Sequence, residues 1–138
     1  MEINLPALSE QQRMIYESST REAIATLEAN LNAPVLHSDL DINEADYCNK
    51  HLLRKSEGWQ APHNDVVGAY FRQFQALFAE CGSDKALAAL LGVSSDRRVR
   101  EYKQGRSKIP YDIWRRFLVI TGRAPQEVIS VKGFVLSK

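Results

Sequence analysis

Thiols, long apolar runs and catalytic signatures are all scarce in this chain, and each scarcity removes a class of protein. Of 138 residues only 2 are cysteines, Cys48 and Cys81, too few for a disulfide framework and without the paired spacing of a zinc ribbon. That usage fits a reduced, cytoplasmic protein. No apolar stretch approaches the roughly 18 residues that a membrane span requires. The amino terminus carries Glu2 at once and has no apolar core segment, so a secretory signal is not expected. G-x-S-x-G, a Gly-rich phosphate loop and H-E-x-x-H are all missing, which argues against an enzyme. Cys48 and His51 stand at C-x-x-H spacing with no second pair, and read as one helix face. Asp39, Asp41, Glu44 and Asp46 do not follow an EF-hand spacing. No metal or cofactor is therefore expected. His37 and His63 stand alone in loops and read as surface residues.

What the chain does have is a sharp charge asymmetry beneath a net charge of +1. Residues 1–84 hold 6 Lys/Arg and 13 Asp/Glu, a net −7, whereas residues 85–123 hold 10 and 3, a net +7. A basic block that coincides with a helical motif is the electrostatic footprint of a phosphate-binding surface. The plainer alternative is a solvated face, or one that meets acidic residues of its own chain or of a partner.

Three segments follow from the pattern of stripes and stops. Residues 1–58 read as an acidic helical extension. Ser9 opens a helix to about Leu31 with Ile24, Leu27 and Leu31 on one side, and Pro34 lies beyond its end. Asn43 caps a second short helix through about Lys55, with Tyr47 and Leu52 inward. Ser56, Glu57 and Gly58 form a connector, and Trp59 an anchor. Residues 59–129 read as a compact bundle. Asn64 caps a helix whose stripe Val67, Phe71, Phe74, Phe78 and Cys81 runs to Gly82. Ser83 caps the next, which buries Leu87, Ala88 and Leu91 and stops at Gly92. Ser94 or Ser95 caps a third that stops at Gly105. Pro110 opens a fourth, with Ile113, Trp114, Phe117, Leu118 and Thr121 inward and Gly122 closing it. Pro125 to Val128 suggests one more helical turn. Residues 130–138 form the tail, and Ile129–Leu136 has the composition of a strand, either a hairpin arm or a frayed end.

The crossing of the second and third bundle helices carries the most information. Ala88 is small where two helices meet, Gly92 tolerates positive φ in the turn, and Val93 plugs the space beneath it. Leu87-Ala88-Ala89-Leu90-Leu91-Gly92-Val93-Ser94, followed by Val99, Tyr102 and Gly105 and then by Ile109-Pro110-Tyr111-Asp112-Ile113-Trp114, resembles the lambda-repressor-like (XRE-type) helix-turn-helix regulators of phages, plasmids and integrative elements. The resemblance spans about residues 64–129. It implies an all-α, lambda-repressor-like helix-turn-helix bundle, which stands here beside the helical N-terminal extension and a C-terminal segment that is either a short β element or a frayed tail. It also implies a sequence-specific regulator that binds double-stranded DNA, most simply as a repressor. Gly92 and Val99 stand seven residues apart, where that family usually has six, so base-contacting positions are placed here by geometry.

With Val99 and Tyr102 inward, a turn of roughly 100° per residue points Arg97 and Gln104 outward. Arg100 and Glu101 fall on the two shoulders, and Arg98 and Lys103 flank the core edge within reach of phosphates. Arg offers a fork for guanine and Gln one for adenine. Glu101 is either the i, i+4 partner that orients Arg97 or a reader of cytosine. Ser94 and Ser95 present hydroxyls and backbone N–H groups to a phosphate, and Arg106, Ser107 and Lys108 extend the backbone contacts. Arg115, Arg116 and Arg123 are divided between phosphate contact and packing along the core. Tyr111 and Trp114 read as core.

A homodimer on an inverted-repeat operator is the expected partnership, because two-fold helix-turn-helix proteins read half-sites about 34 Å apart. The first helix or Ile129–Leu136 would supply the contact. A reading from another class stays beside it: an antitoxin-like or adaptor protein whose acidic residues 1–58 bind a protein partner.

Overall fold

The computed structural model of the chain describes residues 7–136. Met1–Pro6, where Glu2 argued against a signal, and Ser137–Lys138 of the expected tail lie outside the described residues. The described fold is all-α. It has five α-helices and a few single 3-10 turns, and no strand among the described residues. None of these helices is long and apolar enough to cross a membrane.

Two compact units divide the chain: Ser38–Val128, and a second that joins residues up to His37 with the segment from Ile129. The second unit holds α1 (Leu8–Asn30), in which no residue is buried. Its helix begins at Leu8 rather than behind a Ser9 cap, and no side chain caps it. The Phe134 ring meets the Tyr16 ring edge-on at 4.7 Å, and the Arg13 guanidinium lies 4.3 Å from the Phe134 centroid. Residues 129–136 form no strand. A strand needs a neighbouring ladder, and this segment instead runs singly, with its one aromatic held by α1 side chains.

The larger unit is built on α2 (Asn64–Leu77), α3 (Asp84–Leu91), α4 (Asp96–Gln104) and α5 (Tyr111–Ile120). Its centre is aromatic. Trp114 of α5 is fully buried and stacks on Tyr70 at 5.5 Å and Phe117 at 5.4 Å, while Phe71 and Phe74 meet Phe117 edge-on at 4.9 and 5.5 Å. Burying one such ring contributes about 2–3 kcal/mol, and the paired geometry adds to it.

Helix α2 is buried without interruption from Val66 to Phe71, more than one amphipathic face requires, because it is covered by α4 and also by residues 38–58. Those residues were expected in the extension and in a helix from Asn43 to Lys55. They form instead a strap of three 3-10 turns, Glu44–Asp46, Lys50–Leu52 and Lys55–Glu57, fastened to the bundle. Arg72 grips the Asp41 carboxylate through two nitrogens at 2.7 and 2.8 Å, the Tyr70 hydroxyl donates to Glu44 at 2.6 Å, and the Tyr47 hydroxyl donates to Asp65 at 2.8 Å. Leu40, Ile42 and Tyr47 pack on the core. Extended backbone at Tyr47, Leu53 and Arg54, with ψ of 154°, 160° and 158°, separates the turns, so no continuous helix forms. Burial and the Glu44 carboxylate hold the Tyr70 hydroxyl well above the ordinary tyrosine range.

His51, expected with Cys48 on one helix face, is the strap's deepest point at 3% exposure. The Trp114 indole N–H donates to its Nδ1 at 3.2 Å, and its own carbonyl accepts from the Trp59 indole at 3.1 Å. An indole only donates, so Nδ1 carries a lone pair and His51 is neutral. Burial pulls its pKa below the ordinary value; Glu44 opposes this and Arg123 reinforces it.

Helix ends follow the sequence with local changes. Ser83 caps α3 by accepting from the Ala86 N–H at 3.1 Å, but at α2 the cap is His63, whose Nδ1 accepts from Asp65, and Asn64 is the first helical residue. The expected stripe to Cys81 breaks at Phe78, where φ −121° opens a separate turn over Ala79–Cys81 and lets Phe78 meet Phe74 at 4.8 Å. At the α3 stop, Gly92 has φ 71°, and the Val93 N–H returns to the Ala88 carbonyl at 2.9 Å. Residues 125–128 are not helical, because Arg115 takes the Pro125 carbonyl at 3.2 Å and both Tyr111 and Arg115 engage Glu127.

Two outcomes follow. Gly92→Val is expected to lower stability by at least about 1–2 kcal/mol in chemical denaturation, from left-handed strain alone, while Gly92→Asn is largely tolerated. No atom stands within 4 Å of a Cβ added there, so crowding does not contribute. The melting temperature is expected to fall from pH 7.5 to pH 5.5, because the unfolded chain takes up a proton on His51 near pH 6.5 and the folded chain resists it. The stability from neutral His51 is complete above that value and is lost as pH falls toward its lower folded pKa. His51→Gln is expected to flatten the slope, and an equal slope in the variant would contradict the assignment.

Candidate nucleic-acid interface

Helix α4 has little reason to form alone. Of Asp96–Gln104 only Val99 and Tyr102 are apolar, and both are buried, against 0% and 2% exposure, so packing on α2 and α3 sets the helix. That anchoring decides which side chains face outward. Ser95 occupies the cap position in extended conformation but makes no side-chain cap bond, and Ser94 and Ser95 are both exposed. Arg98, Gln104, Arg106 and Lys108 are exposed, and their side chains make no hydrogen bond or ion pair among the described residues.

The other outward groups are paired within the helix. Arg97 is 81% exposed at its side chain, and its Nε lies 3.0 Å from Glu101 Oε1, the i, i+4 partner. Glu101 is much less exposed, and its second oxygen accepts from the Ser107 hydroxyl at 3.3 Å. Arg100 donates to Asp96 at 2.9 Å, and this hydrogen bond and charge lower the Asp96 carboxyl below its usual range.

Lys103 differs from expectation. Its ammonium does not face outward toward a phosphate but turns into the junction of α2, α3 and α4, 2.7 Å from Asp84 Oδ1 and 3.0 Å from Gln75 Oε1. Gln75 also donates to the same Asp84 oxygen at 3.1 Å. Asp84 was not predicted to have a role, and Tyr102 one position away draws the Lys103 stem toward the core edge. Burial alone would raise the Asp84 carboxyl; the Lys103 and Gln75 hydrogen bonds and the Lys103 charge outweigh it and hold the group low.

Of the ten cations in residues 85–123, four are therefore structural. Besides Lys103, Arg115 is buried against Pro125 and Glu127, Arg116 donates to the Leu90 carbonyl at the end of α3 at 2.9 Å, and Arg123 lies 4.1 Å over the Tyr70 ring. Arg97 and Arg100 are paired. Among the described residues, the four whose side chains have no partner are Arg98, Arg106, Lys108 and Lys85. Lys85, exposed in the first turn of α3, was not singled out from sequence, although it is the first cation of the basic block and follows Asp84 directly.

Among the described residues no three His, Cys, Asp or Glu side chains gather as a metal site. Cys48 is exposed while His51 points into the core, so the C-x-x-H pair does not converge. No protein-family model, curated protein or solved structure matches the chain.

Lys103→Met is expected to cost about 1–2 kcal/mol at pH 7, since it leaves a partly buried carboxylate with only Gln75. Because the folded pKa of Asp84 is depressed, the pair's contribution is present above the unfolded value and is lost as pH falls below about 4. Melting curves of the two proteins are expected to converge there. A constant difference at all pH values would mean that lost packing, not charge, is responsible.

Proposed function

We propose that the chain is a sequence-specific, double-stranded DNA-binding regulator of the lambda-repressor-like helix-turn-helix type. In this reading α3 and α4 are the two helices of the motif and α4 is the recognition helix in the major groove. The observation that carries it is the division of α4: Val99 and Tyr102 are locked inward, and Arg97, Arg98, Arg100 and Gln104 all face solvent. An α-helix fits the major groove, where a guanidinium reads guanine and a carboxamide reads adenine. Arg97 and Gln104 are the base readers. Arg98, Arg106, Lys108 and Lys85 contact phosphates, as do the backbone and hydroxyls of Ser94 and Ser95 at the helix start. One such module covers few base pairs, so the protein acts as a homodimer on an inverted repeat and represses by occluding a promoter.

A second reading has an observation of its own. Helix α1 buries none of its residues and leaves Met14, Ile15 and Ile24 well exposed, which suits a surface that meets another chain. An antitoxin-like or adaptor protein would use that helix on a partner and keep DNA binding for self-regulation.

The readings separate in titrations of fluorescent duplexes. Arg97→Ala is expected to cost about 1–3 kcal/mol on a selected site and little on random DNA. Arg106→Ala and Lys108→Ala are expected to weaken both duplexes alike and to lower the salt slope by about one unit each. Equal affinity of the wild-type chain for selected and random duplexes would overturn the base-reading proposal and favour the interaction protein.

A further inference from the structure

Glu101 is the one acidic side chain on the outward half of α4 that engages two partners on two different elements. One oxygen stands 3.0 Å from Arg97 Nε, and the other accepts from Ser107 in the loop that follows Gly105. Only 23% of its side chain is exposed, against 81% for Arg97, so the carboxylate sits low against the helix while the guanidinium stands above it. The pairing also uses a particular nitrogen. The nearest approach is at Nε, and neither Nη group of Arg97 makes a hydrogen bond among the described residues; those two form the end fork that matches O6 and N7 of guanine. Asp96 meets Arg100 in another way, through Nη1, and so occupies one tine of that fork.

We propose that Glu101 is a positioning residue for Arg97: it holds the guanidinium by Nε so that its Nη edge is presented to one guanine, and Ser107 fixes the carboxylate in turn. The proposal rests on the DNA-binding reading above and assigns the selectivity of one base pair to an Arg97–Glu101–Ser107 relay. A free Arg97 would sample phosphates as readily as bases, because its stem is flexible and the phosphates carry the charge. Glu101 therefore opposes non-specific affinity while it favours guanine.

The test is a double-mutant cycle on the full-length chain. It uses a duplex enriched from a random pool, the same duplex with the contacted guanine replaced by adenine or 7-deazaguanine, and a random duplex. Glu101→Gln is expected to reduce guanine discrimination about five- to tenfold and to tighten binding to the random duplex, two changes of opposite sign that loss of fold does not produce. In an Arg97→Ala background the same substitution is expected to leave discrimination unchanged. Ser107→Ala, which leaves the helix intact, is expected to move both quantities in the same directions by a smaller factor. Equal effects of Glu101→Gln with and without Arg97 would overturn the proposal and make Glu101 a direct reader. No effect of Glu101→Gln in either background would overturn it as well. A wild-type chain that enriches no sequence removes the underlying DNA reading, an outcome seen before any variant is made.

Discussion

The indole of Trp114 is the constraint on which the larger unit depends. Its ring is stacked between Tyr70 and Phe117, which joins α5 to α2, and its N–H reaches His51, which joins α5 to the strap of residues 38–58. A buried indole N–H without an acceptor costs about 1–3 kcal/mol, so the strap is required to satisfy the core as well as to cover it. The same contact fixes the protonation of His51 and makes the packing of α5 sensitive to mild acid. With α2 held, Val99 and Tyr102 have a surface to dock on between it and α3, and α4 takes its place.

Function, on the proposed reading, is carried by the helix with the least intrinsic stability. Helix α4 owes its existence to two buried residues and to the Lys103–Asp84–Gln75 junction, and everything else on it is left for a ligand. Its charges are also held in check: Asp96 and Glu101 each neutralise an arginine, so the outward face is less positive than the basic block suggests. A surface arranged in this way gives up some general attraction to phosphate in return for defined side-chain directions.

Much of the bundle was legible in the sequence. Apolar stripes ended by Gly92, Gly105 and Gly122 gave the order and nearly the bounds of α3 to α5, because helix stops are local chemistry. The outward direction of Arg97 and Gln104 followed from Val99 and Tyr102 for the same reason. Long-range contacts were not legible. Nothing near His51 announces that Trp114, 63 residues away, donates to it, and nothing near Asp41 announces Arg72. The acidic texture of residues 38–58 suggested a partner surface, yet two of those carboxylates, Asp41 and Glu44, are spent on α2 of the same chain. Lys103 lies at the core edge as its helical angle gives, but angle alone cannot see Asp84 across the turn, which takes its ammonium. Ile129–Leu136 had strand composition but no neighbour to pair with among the described residues, and composition does not supply one.

Selection of duplexes from a random pool by the 138-residue chain at two salt concentrations tests whether α4 reads base pairs. Enrichment of an inverted repeat with a guanine at a fixed position in each half, retained at the higher salt, is the result expected of base reading. Binding that vanishes with salt and enriches no sequence would contradict it.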